Sequence, residues 1–292
     1  MGIGLAVLLL STGGGSVNGG TLTQYDSSGA HFISAGVLSA DVAFSASLGQ
    51  VLEVVNSANI LTQFDATGAH ILAANVQSAE VGFGLFGQVL AITNTSGQLN
   101  VSDAFGTHFL ANGVHSAELA FDNTGGEVVV VVGTDGNLTQ YDSSGAHLLS
   151  AGIRSADAAF TATGEVLITV DNAGVLRQFD FSGTHILANN IGSAQLAFGP
   201  LGEVLETLNL SGTLTVSDAF GSHLLASGVQ SADLALDGSG QFVVEAVFPD
   251  PVPEPATVAL LLMGLSGLFW KLRRRRSVAR NMQMEPPESG AT

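Results

Sequence analysis

The sequence has no cysteine, which excludes a disulfide framework and any chemistry that needs a thiolate. Basic residues are scarce as well, since Arg154 and Arg177 are the only two before Pro251, where 22 of the 25 acidic residues lie. The charge of this part is therefore about −20, which repels phosphate backbones and argues against nucleic acid as a partner. Cations, or a matrix that contains them, fit such a surface better.

Amphipathic helix patterns are absent before residue 255. Glycine is abundant, with 37 residues, and Val, Ile, Leu, Ala, Thr and Ser dominate the rest of the composition. These features together predict an all-β protein.

A hairpin motif that contains an Asp, a Gly and a His recurs six times along the chain. The copies are YDSSGAH (25–31), FDATGAH (64–70), SDAFGTH (102–108), YDSSGAH (141–147), FDFSGTH (179–185) and SDAFGSH (217–223). Subtraction of the His positions gives steps of 38 or 39 residues. A fixed period of this length predicts a solenoid or a propeller.

Each period holds four strand-like stretches with turn-forming segments between them. In one copy these stretches are residues 155–160, 165–170, 175–180 and 185–191. Four short antiparallel strands in about 38 residues are typical of a propeller blade. The sequence therefore predicts a six-bladed β-propeller over residues 21–248, and in architecture it resembles the NHL and WD-repeat class.

The two ends of the repeat array each hold half a blade. The first copy begins with its third and fourth strands, at 21–26 and 31–37, and the last copy ends with its first and second, at 231–236 and 241–248. We predict that these four strands form one composite blade, which latches the chain ends together and leaves no open edge in the ring. One apolar position of each first strand is expected to pack between neighbouring blades: Phe44, Phe83, Phe121, Phe160, Phe198 and Leu236.

The six repeated His residues follow the hairpin between the third and fourth strands, which is the periphery of a propeller. They are therefore too far apart to bind one metal ion together. We expect each His to hydrogen-bond the Asp five residues earlier and to steady the turn. His115 lies outside the pattern and is interpreted as a surface or turn residue.

An acidic position recurs on the predicted first strand of the blades, which lines the axial channel of a propeller. Its occupants are Asp41, Glu80, Glu118, Asp157, Gln195 and Asp233. Such a ring could hold Ca²⁺ or Mg²⁺ through oxygen ligands, and no other cofactor is expected. In the alternative interpretation these side chains cap the backbone of the next blade or point to solvent at the channel mouth. No nucleophile and base pair stands out, so the sequence predicts no catalytic residue and no enzyme.

The chain is predicted to have four further segments outside the propeller. Residues 1–20 form an apolar leader that resembles a secretory signal without preceding Lys or Arg, so it is either a truncated or unusual export signal or an exposed apolar leader. Residues 249–255 form a Pro-rich linker, 256–272 a transmembrane helix, and 273–292 a basic cluster with a disordered cytoplasmic tail.

The apolar stretch 256–272 is long enough for about 26 Å of helix, which can cross a thin bilayer. Trp270 suits the membrane interface. The basic residues at its end fix the C-terminal side as cytoplasmic and place the acidic body on the periplasmic side: Lys271, Arg273, Arg274, Arg275 and Arg276.

The order of Pro253, Glu254 and Pro255, then the apolar helix, then the arginine cluster resembles the PEP-CTERM sorting signal of Gram-negative bacteria. This resemblance implies recognition of those three residues by an exosortase, in species that make extracellular polysaccharide. The alternative interpretation is an ordinary single-span anchor without sorting.

These features together favour a non-enzymatic, exported propeller. We expect it to be tethered first to the inner membrane and then released or attached to the cell surface or extracellular matrix. There it either binds polysaccharide or a protein partner, or helps to build the matrix. The alternative from another class is a hydrolase or lyase acting on a sugar or lactone with a channel-bound divalent cation. Unlike polar side chains gathered on one face of the propeller would favour the enzyme.

Overall fold

A computed structural model describes residues 19–249 of the chain, and every regular element in this part is a β-strand. The leader up to residue 18, the linker from residue 250, the predicted helix 256–272 and the tail lie outside the described residues. Among residues 19–249 there is no helix long and apolar enough to cross a membrane. Strand structure begins at Gly20, one residue before the predicted boundary.

The strands follow one another at short intervals. The first twelve are β1 (Gly20–Asp26), β2 (Gly29–Ser45), β3 (Gly49–Asn56), β4 (Ile60–Asp65), β5 (Gly68–Ala74), β6 (Val76–Gly84), β7 (Gly87–Asn94), β8 (Leu99–Asp103), β9 (Gly106–Ala111), β10 (Val114–Phe121), β11 (Glu127–Gly133) and β12 (Leu138–Asp142). The others are β13 (Gly145–Ser150), β14 (Ile153–Thr161), β15 (Gly164–Asp171), β16 (Leu176–Asp180), β17 (Gly183–Ala188), β18 (Ile191–Gly199), β19 (Gly202–Asn209), β20 (Leu214–Asp218), β21 (Gly221–Ala226), β22 (Ser231–Leu236) and β23 (Phe242–Phe248).

Four blades are separate antiparallel sheets of four strands in chain order. We call them sheet 2 (β6–β9), sheet 3 (β10–β13), sheet 4 (β14–β17) and sheet 5 (β18–β21). The remaining strands form one seven-stranded sheet, the closing sheet, in the order β22-β23-β1-β2-β3-β4-β5. The arrangement is an all-β, propeller-like fold.

The prediction of six separate blades is not confirmed, because the composite blade formed by the two chain ends continues through β2 into β3, β4 and β5 as one sheet. The connecting element is β2, a single strand of 17 residues in a region where two separate strands were predicted. Its first part pairs with β1 and its second part with β3, with a register shift after Val37. The ladder hydrogen bonds of β2 therefore continue past the position at which each of the other four sheets ends after its fourth strand.

The predicted latch between the chain ends is confirmed. Strand β1 pairs antiparallel with β23, from Thr21 opposite Phe248 to Tyr25 opposite Val244, and β23 pairs with β22. The first strands β2, β6, β10, β14, β18 and β22 contact one another in this order, and β22 contacts β2. The first strands thus surround a common axis.

The Asp-x-x-Gly turns show why the motif recurs at the outer hairpins. In the first copy the carboxylate of Asp26 accepts a hydrogen bond of 2.7 Å from the N–H of Ser28, which fixes a two-residue loop closed by Asp26 opposite Gly29. Gly29 has a φ of 124°, which side chains with a Cβ rarely adopt. The equivalent glycines Gly68, Gly106, Gly145, Gly183 and Gly221 have φ between 123° and 132°.

Within residues 19–249 the hydrophobic core lies between neighbouring blades, in six clusters. Second strands such as β11 (EVVVVVG) are buried along nearly their whole length, because adjacent sheets cover both of their faces. The predicted packing of Phe44, Phe83, Phe121, Phe160, Phe198 and Leu236 against these clusters is confirmed. The ring of Phe121 lies so close to sheet 2 that a Cβ on Gly82 would stand 2.5 Å from its Cε2 atom.

Candidate functional site

The six residues of the predicted acidic ring occupy the same row of the fold. Each lies on a first strand and stands directly opposite a residue of the second strand, as Asp41 stands opposite Glu53 and Asp233 opposite Glu245. From the second strand the row continues outward to the repeated His, as from Glu53 to Gln63 and then to His70 of the second copy. Asp41, Asp157 and Asp233 are buried, with 4 to 7% of their surface exposed.

Members of this ring hydrogen-bond the backbone of the next first strand. The Oδ2 atom of Asp157 accepts a bond of 2.7 Å from the N–H of Leu196. The Oε1 atom of Gln195 accepts one of 2.6 Å from Leu234. These bonds lead from sheet 4 to sheet 5 and from sheet 5 to β22.

The same contact closes the ring across the chain ends. The Oδ2 atom of Asp233 accepts a bond of 2.7 Å from the N–H of Val42, and Oδ2 of Asp41 accepts one from Val81. The interpretation that these side chains cap the backbone of the next blade is therefore confirmed at four positions. Glu80 and Glu118, whose side chains are one methylene longer, accept no bond of this kind within residues 19–249.

Burial raises the pKa of every carboxyl group of the ring. The pKa of Asp157 rises to about 7, mainly because burial disfavours its charged form. Burial raises the pKa of Asp41 well above its usual value, and the negative charge of Asp233 raises it further. The pKa values of Glu80, Glu118 and Asp233 are raised too, again chiefly by burial. The ring thus favours protons or a cation over free negative charge.

Three ring members come closest together. Asp41, Glu80 and Asp233 each place one carboxylate oxygen within 4.8 Å of the other two. Oxygen donors of this type suit hard cations such as Ca²⁺ and Mg²⁺. The predicted ring therefore contains one three-carboxylate cluster, and Glu118 and Asp157 lie outside it.

A second layer of acids behind the ring was missed by the sequence reasoning. Glu53, Glu206 and Glu245 lie on second strands, and each is only 1% exposed. Glu53 and Glu245 have two carboxylate oxygens each, and Glu206 one, without a hydrogen-bond partner in the described part of the chain. The sequence feature that could have revealed them is a single Glu inside an otherwise apolar second strand, as in VLEVV (51–55) and VVEAV (243–247).

The six repeated His residues lie beside the Asp of their own turns, and the predicted His–Asp hydrogen bond forms in two of the copies, at His31 and His223. Each Nε2 atom lies 3.3 to 3.6 Å from the Asp carboxylate five residues earlier. In the fourth copy the hydroxyl of Ser144 hydrogen-bonds both Asp142 and His147. Each of these His residues therefore has its contact within its own outer hairpin.

The side chain after each repeated His is apolar and points outward. Phe32, Ile71, Phe109, Leu148, Ile186 and Leu224 are 58 to 77% exposed. The outer strands thus repeat one surface, with a His and a large apolar residue, around the periphery. The residues predicted to act in sorting and anchoring, from Pro253 to Arg276, lie outside the described residues.

Fold and site define a β-propeller-like repeat protein. A solved structure of a triple arginine-to-alanine mutant of AofleA from Arthrobotrys oligospora is 12% identical, with a TM-score of 0.51 over 74% of this chain and 81% of that chain. BBS1N in complex with ARL6DN, soaked with lead, is also 12% identical, with a TM-score of 0.49 over 76% of this chain and 82% of that chain. At this identity the likeness to AofleA shows the fold alone.

The chain carries a PEP-CTERM protein-sorting motif at residues 251–276. This confirms the resemblance read from the sequence, and it implies an exported protein that is a substrate of exosortase. No curated protein matches this chain significantly.

Proposed function

We propose that this chain is an exported, non-enzymatic propeller that acts at the cell surface or in an extracellular polysaccharide matrix. The PEP-CTERM motif at residues 251–276 is the observation that carries the proposal. In this proposal residues 256–272 span the inner membrane, and Trp270 lies at its interface. The basic cluster Lys271, Arg273, Arg274, Arg275 and Arg276 holds the tail on the cytoplasmic side. Exosortase recognises Pro253, Glu254 and Pro255, and the propeller leaves the membrane or is attached to the surface.

The proposal counts the closing sheet as two blades that share β2, which gives six. Two observations support this count. Six first strands surround the axis. Gly36 within β2 has a φ of 72°, and the equivalent residues Asn75, Gly113, Gly152, Asn190 and Gly228 also have positive φ between the fourth strand of one repeat and the first strand of the next.

Repetition of one outer surface supports a binding or structural role. A polymer with a repeating chemical unit can contact several equivalent hairpins at once, and linked weak contacts raise the overall affinity 10²- to 10⁴-fold, an order-of-magnitude range. The exposed apolar residues after the six His residues offer such contacts. Catalysis usually needs unlike side chains brought to one place, whereas these hairpins carry nearly the same ones.

The sorting part is tested in a polysaccharide-producing host that contains an exosortase. The full chain is expressed with a tag inserted in a propeller loop, cells are fractionated, and the intact mass of the mature chain is measured. The Pro253→Ala/Pro255→Ala variant is compared with Pro286→Ala/Pro287→Ala, which makes the same change outside the motif. We expect the wild type and the second variant to lose the C-terminal segment and to reach the extracellular fraction.

The first variant should stay in the membrane fraction at full mass. A mature wild-type chain that keeps residues 256–292 contradicts processing. Equal processing of the two variants contradicts recognition at the PEP residues. Binding is then tested by co-sedimentation of the purified protein with the extracellular polysaccharide of the same host, and absence of co-sedimentation contradicts the matrix role.

The second candidate is a hydrolase or lyase that acts on a sugar or lactone with a divalent cation in the channel. The cluster of Asp41, Glu80 and Asp233 is the observation that favours it. The test is a turnover assay on a panel of sugars and lactones, with and without calcium. Calcium-dependent turnover that is lost in the Glu80→Gln variant would favour the enzyme.

A further inference from the structure

Three carboxylates from consecutive first strands converge beside the axis. Asp233 lies on β22, Asp41 on β2 and Glu80 on β6, so the cluster joins the last repeat to the first two. One oxygen of each lies within 4.8 Å of the others. Ligand oxygens stand about 2.3–2.6 Å from a Ca²⁺ ion, so two oxygens on one ion can be up to about 5 Å apart. The three oxygens therefore fit the coordination sphere of a single ion.

An independent observation also calls for positive charge at this place. Glu245 is 1% exposed, and neither of its carboxylate oxygens has a hydrogen-bond partner among the described residues. It stands directly opposite Asp233 in the β22–β23 ladder, so both side chains leave the same face of the sheet toward the cluster. A buried carboxylate without partners is costly unless it is protonated or paired with a cation.

Glu206 adds a further buried carboxylate from sheet 5. It too is 1% exposed, and its Oε2 atom has no partner in the described part of the chain. Burial raises the pKa values of Glu206 and Glu245, and the negative charge of Asp233 raises both further. Asp233 thus lies close to buried carboxyl groups of the first strands and of the second strands.

The arginines of the described region do not neutralise these carboxyl groups. Arg177 forms an ion pair of 2.6 Å with Asp171, and Arg154 donates a hydrogen bond to the carbonyl of Asn172. We propose that Asp41, Glu80 and Asp233 bind one Ca²⁺ ion, which ties the last repeat to the first two at the axis of the ring. Glu245 and Glu206 supply the surrounding negative charge.

The bound ion would have a structural role that does not depend on the proposed sorting or matrix function. Asp41 and Asp233 each use an Oδ2 atom to hold the next strand. Without the ion their crowded carboxyl groups share protons instead. Calcium binding must therefore displace protons, and the affinity should rise with pH as the facing carboxyls ionise. Those groups are Glu53, Glu118, Asp157, Glu206 and Glu245.

Calcium titration of the full chain in detergent tests the proposal. After removal of metal with a chelator, CaCl₂ is titrated at pH 8 by calorimetry, and thermal melting is followed in parallel. We expect one ion per chain and a rise in Tm of about 5–10 °C at a calcium concentration one hundred times the dissociation constant. Glu80→Gln should weaken binding at least about tenfold, because it removes one charged ligand.

The matched control is Glu127→Gln, the same change at a half-buried Glu of β11 whose charged neighbours are Asp103 and His108, outside the ring; it should alter affinity less than about threefold. Equal weakening by both variants, or no heat and no Tm shift up to about 10 mM calcium, well above the affinity range of extracellular modules, overturns the proposal. If Glu80→Gln does not fold, the wild type alone decides. One ion per chain with the expected rise in Tm then supports the site, and no heat and no Tm shift up to about 10 mM calcium overturns it.

Discussion

Replacement of Glu53 by Gln should stabilise the protein at neutral pH and leave it unchanged at acid pH. Glu53 lies on β3, is 1% exposed, and its two carboxylate oxygens have no hydrogen-bond partner among residues 19–249. Burial raises its pKa from 4.5 to about 7, and the negative charge of Asp65 adds to the rise. Because the folded state binds the proton more tightly, the favourable contribution of Glu53 is fully present below pH 4.5. It is lost as the pH rises through 7.

The magnitude follows from the two pKa values. A difference of about 2.5 pH units corresponds to about 3 kcal/mol, since one unit is worth about 1.4 kcal/mol. Gln has nearly the same shape and no charge, so Glu53→Gln should remove this cost. We expect a gain of about 3 kcal/mol in the free energy of unfolding at pH 8, or about 6–12 °C in Tm for a domain of this size.

Urea unfolding of the full chain in detergent, with a chelator present, measures this effect at pH 4, 6 and 8. The variant is its own control, because at pH 4 Glu53 is protonated in folded and unfolded chains and the two proteins should have equal stability. A gain of equal size at pH 4 and pH 8 would show that packing, and not charge, is responsible. A loss of stability at pH 8 would refute the reasoning.

Two further predictions concern packing and turns. Phe160→Ala should lower the free energy of unfolding by about 2–4 kcal/mol in thermal melts, because its ring packs on the cluster between sheets 3 and 4. Phe181→Ala is the control, since that side chain is 82% exposed and its loss should cost less than about 0.5 kcal/mol. Equal effects of the two variants would contradict the packing. Asp65→Ala should cost about 1–3 kcal/mol, since its carboxylate accepts bonds from Thr67 and Gln63, while His70→Ala, with a 46% exposed side chain, should cost less than about 1 kcal/mol. The pKa of Asp65 is lowered to about 2, so the contribution of its charged form to the free energy of unfolding should vanish as the pH falls from about 3.8 to 2. If the stability difference between Asp65→Ala and wild type stays the same over this pH range, the prediction is contradicted.

The ring residues have two roles that compete with each other. Asp41, Asp157, Gln195 and Asp233 connect neighbouring first strands through backbone hydrogen bonds, which stabilises the ring. The same arrangement concentrates carboxyl groups in a buried place and raises their pKa values. Protons or a cation resolve this conflict, so stability and calcium affinity should both depend on pH.

The sequence by itself determined the repeating unit. The Asp-x-x-Gly-x-His turn depends on contacts within six residues, so its spacing predicted the hairpins, the His–Asp pairs and the strand count of each repeat. The half repeats at the two ends likewise predicted the pairing of β1 with β23. The PEP-CTERM motif could be read directly because its residues are contiguous.

Only the tertiary structure decided which acids meet and how the repeats join. Asp233 bonds the backbone of Val42 across 191 positions of sequence, and no local pattern records such a contact. The equivalence of the repeats also hid the difference between Glu80, which joins the three-carboxylate cluster, and Glu118, which does not. The continuity of β2, whose first part pairs with β1 and whose second part pairs with β3, also became visible only in the structure. Local spacing determines the unit, whereas closure of the ring completes the cluster, because only closure brings Asp233 to Asp41 and Glu80.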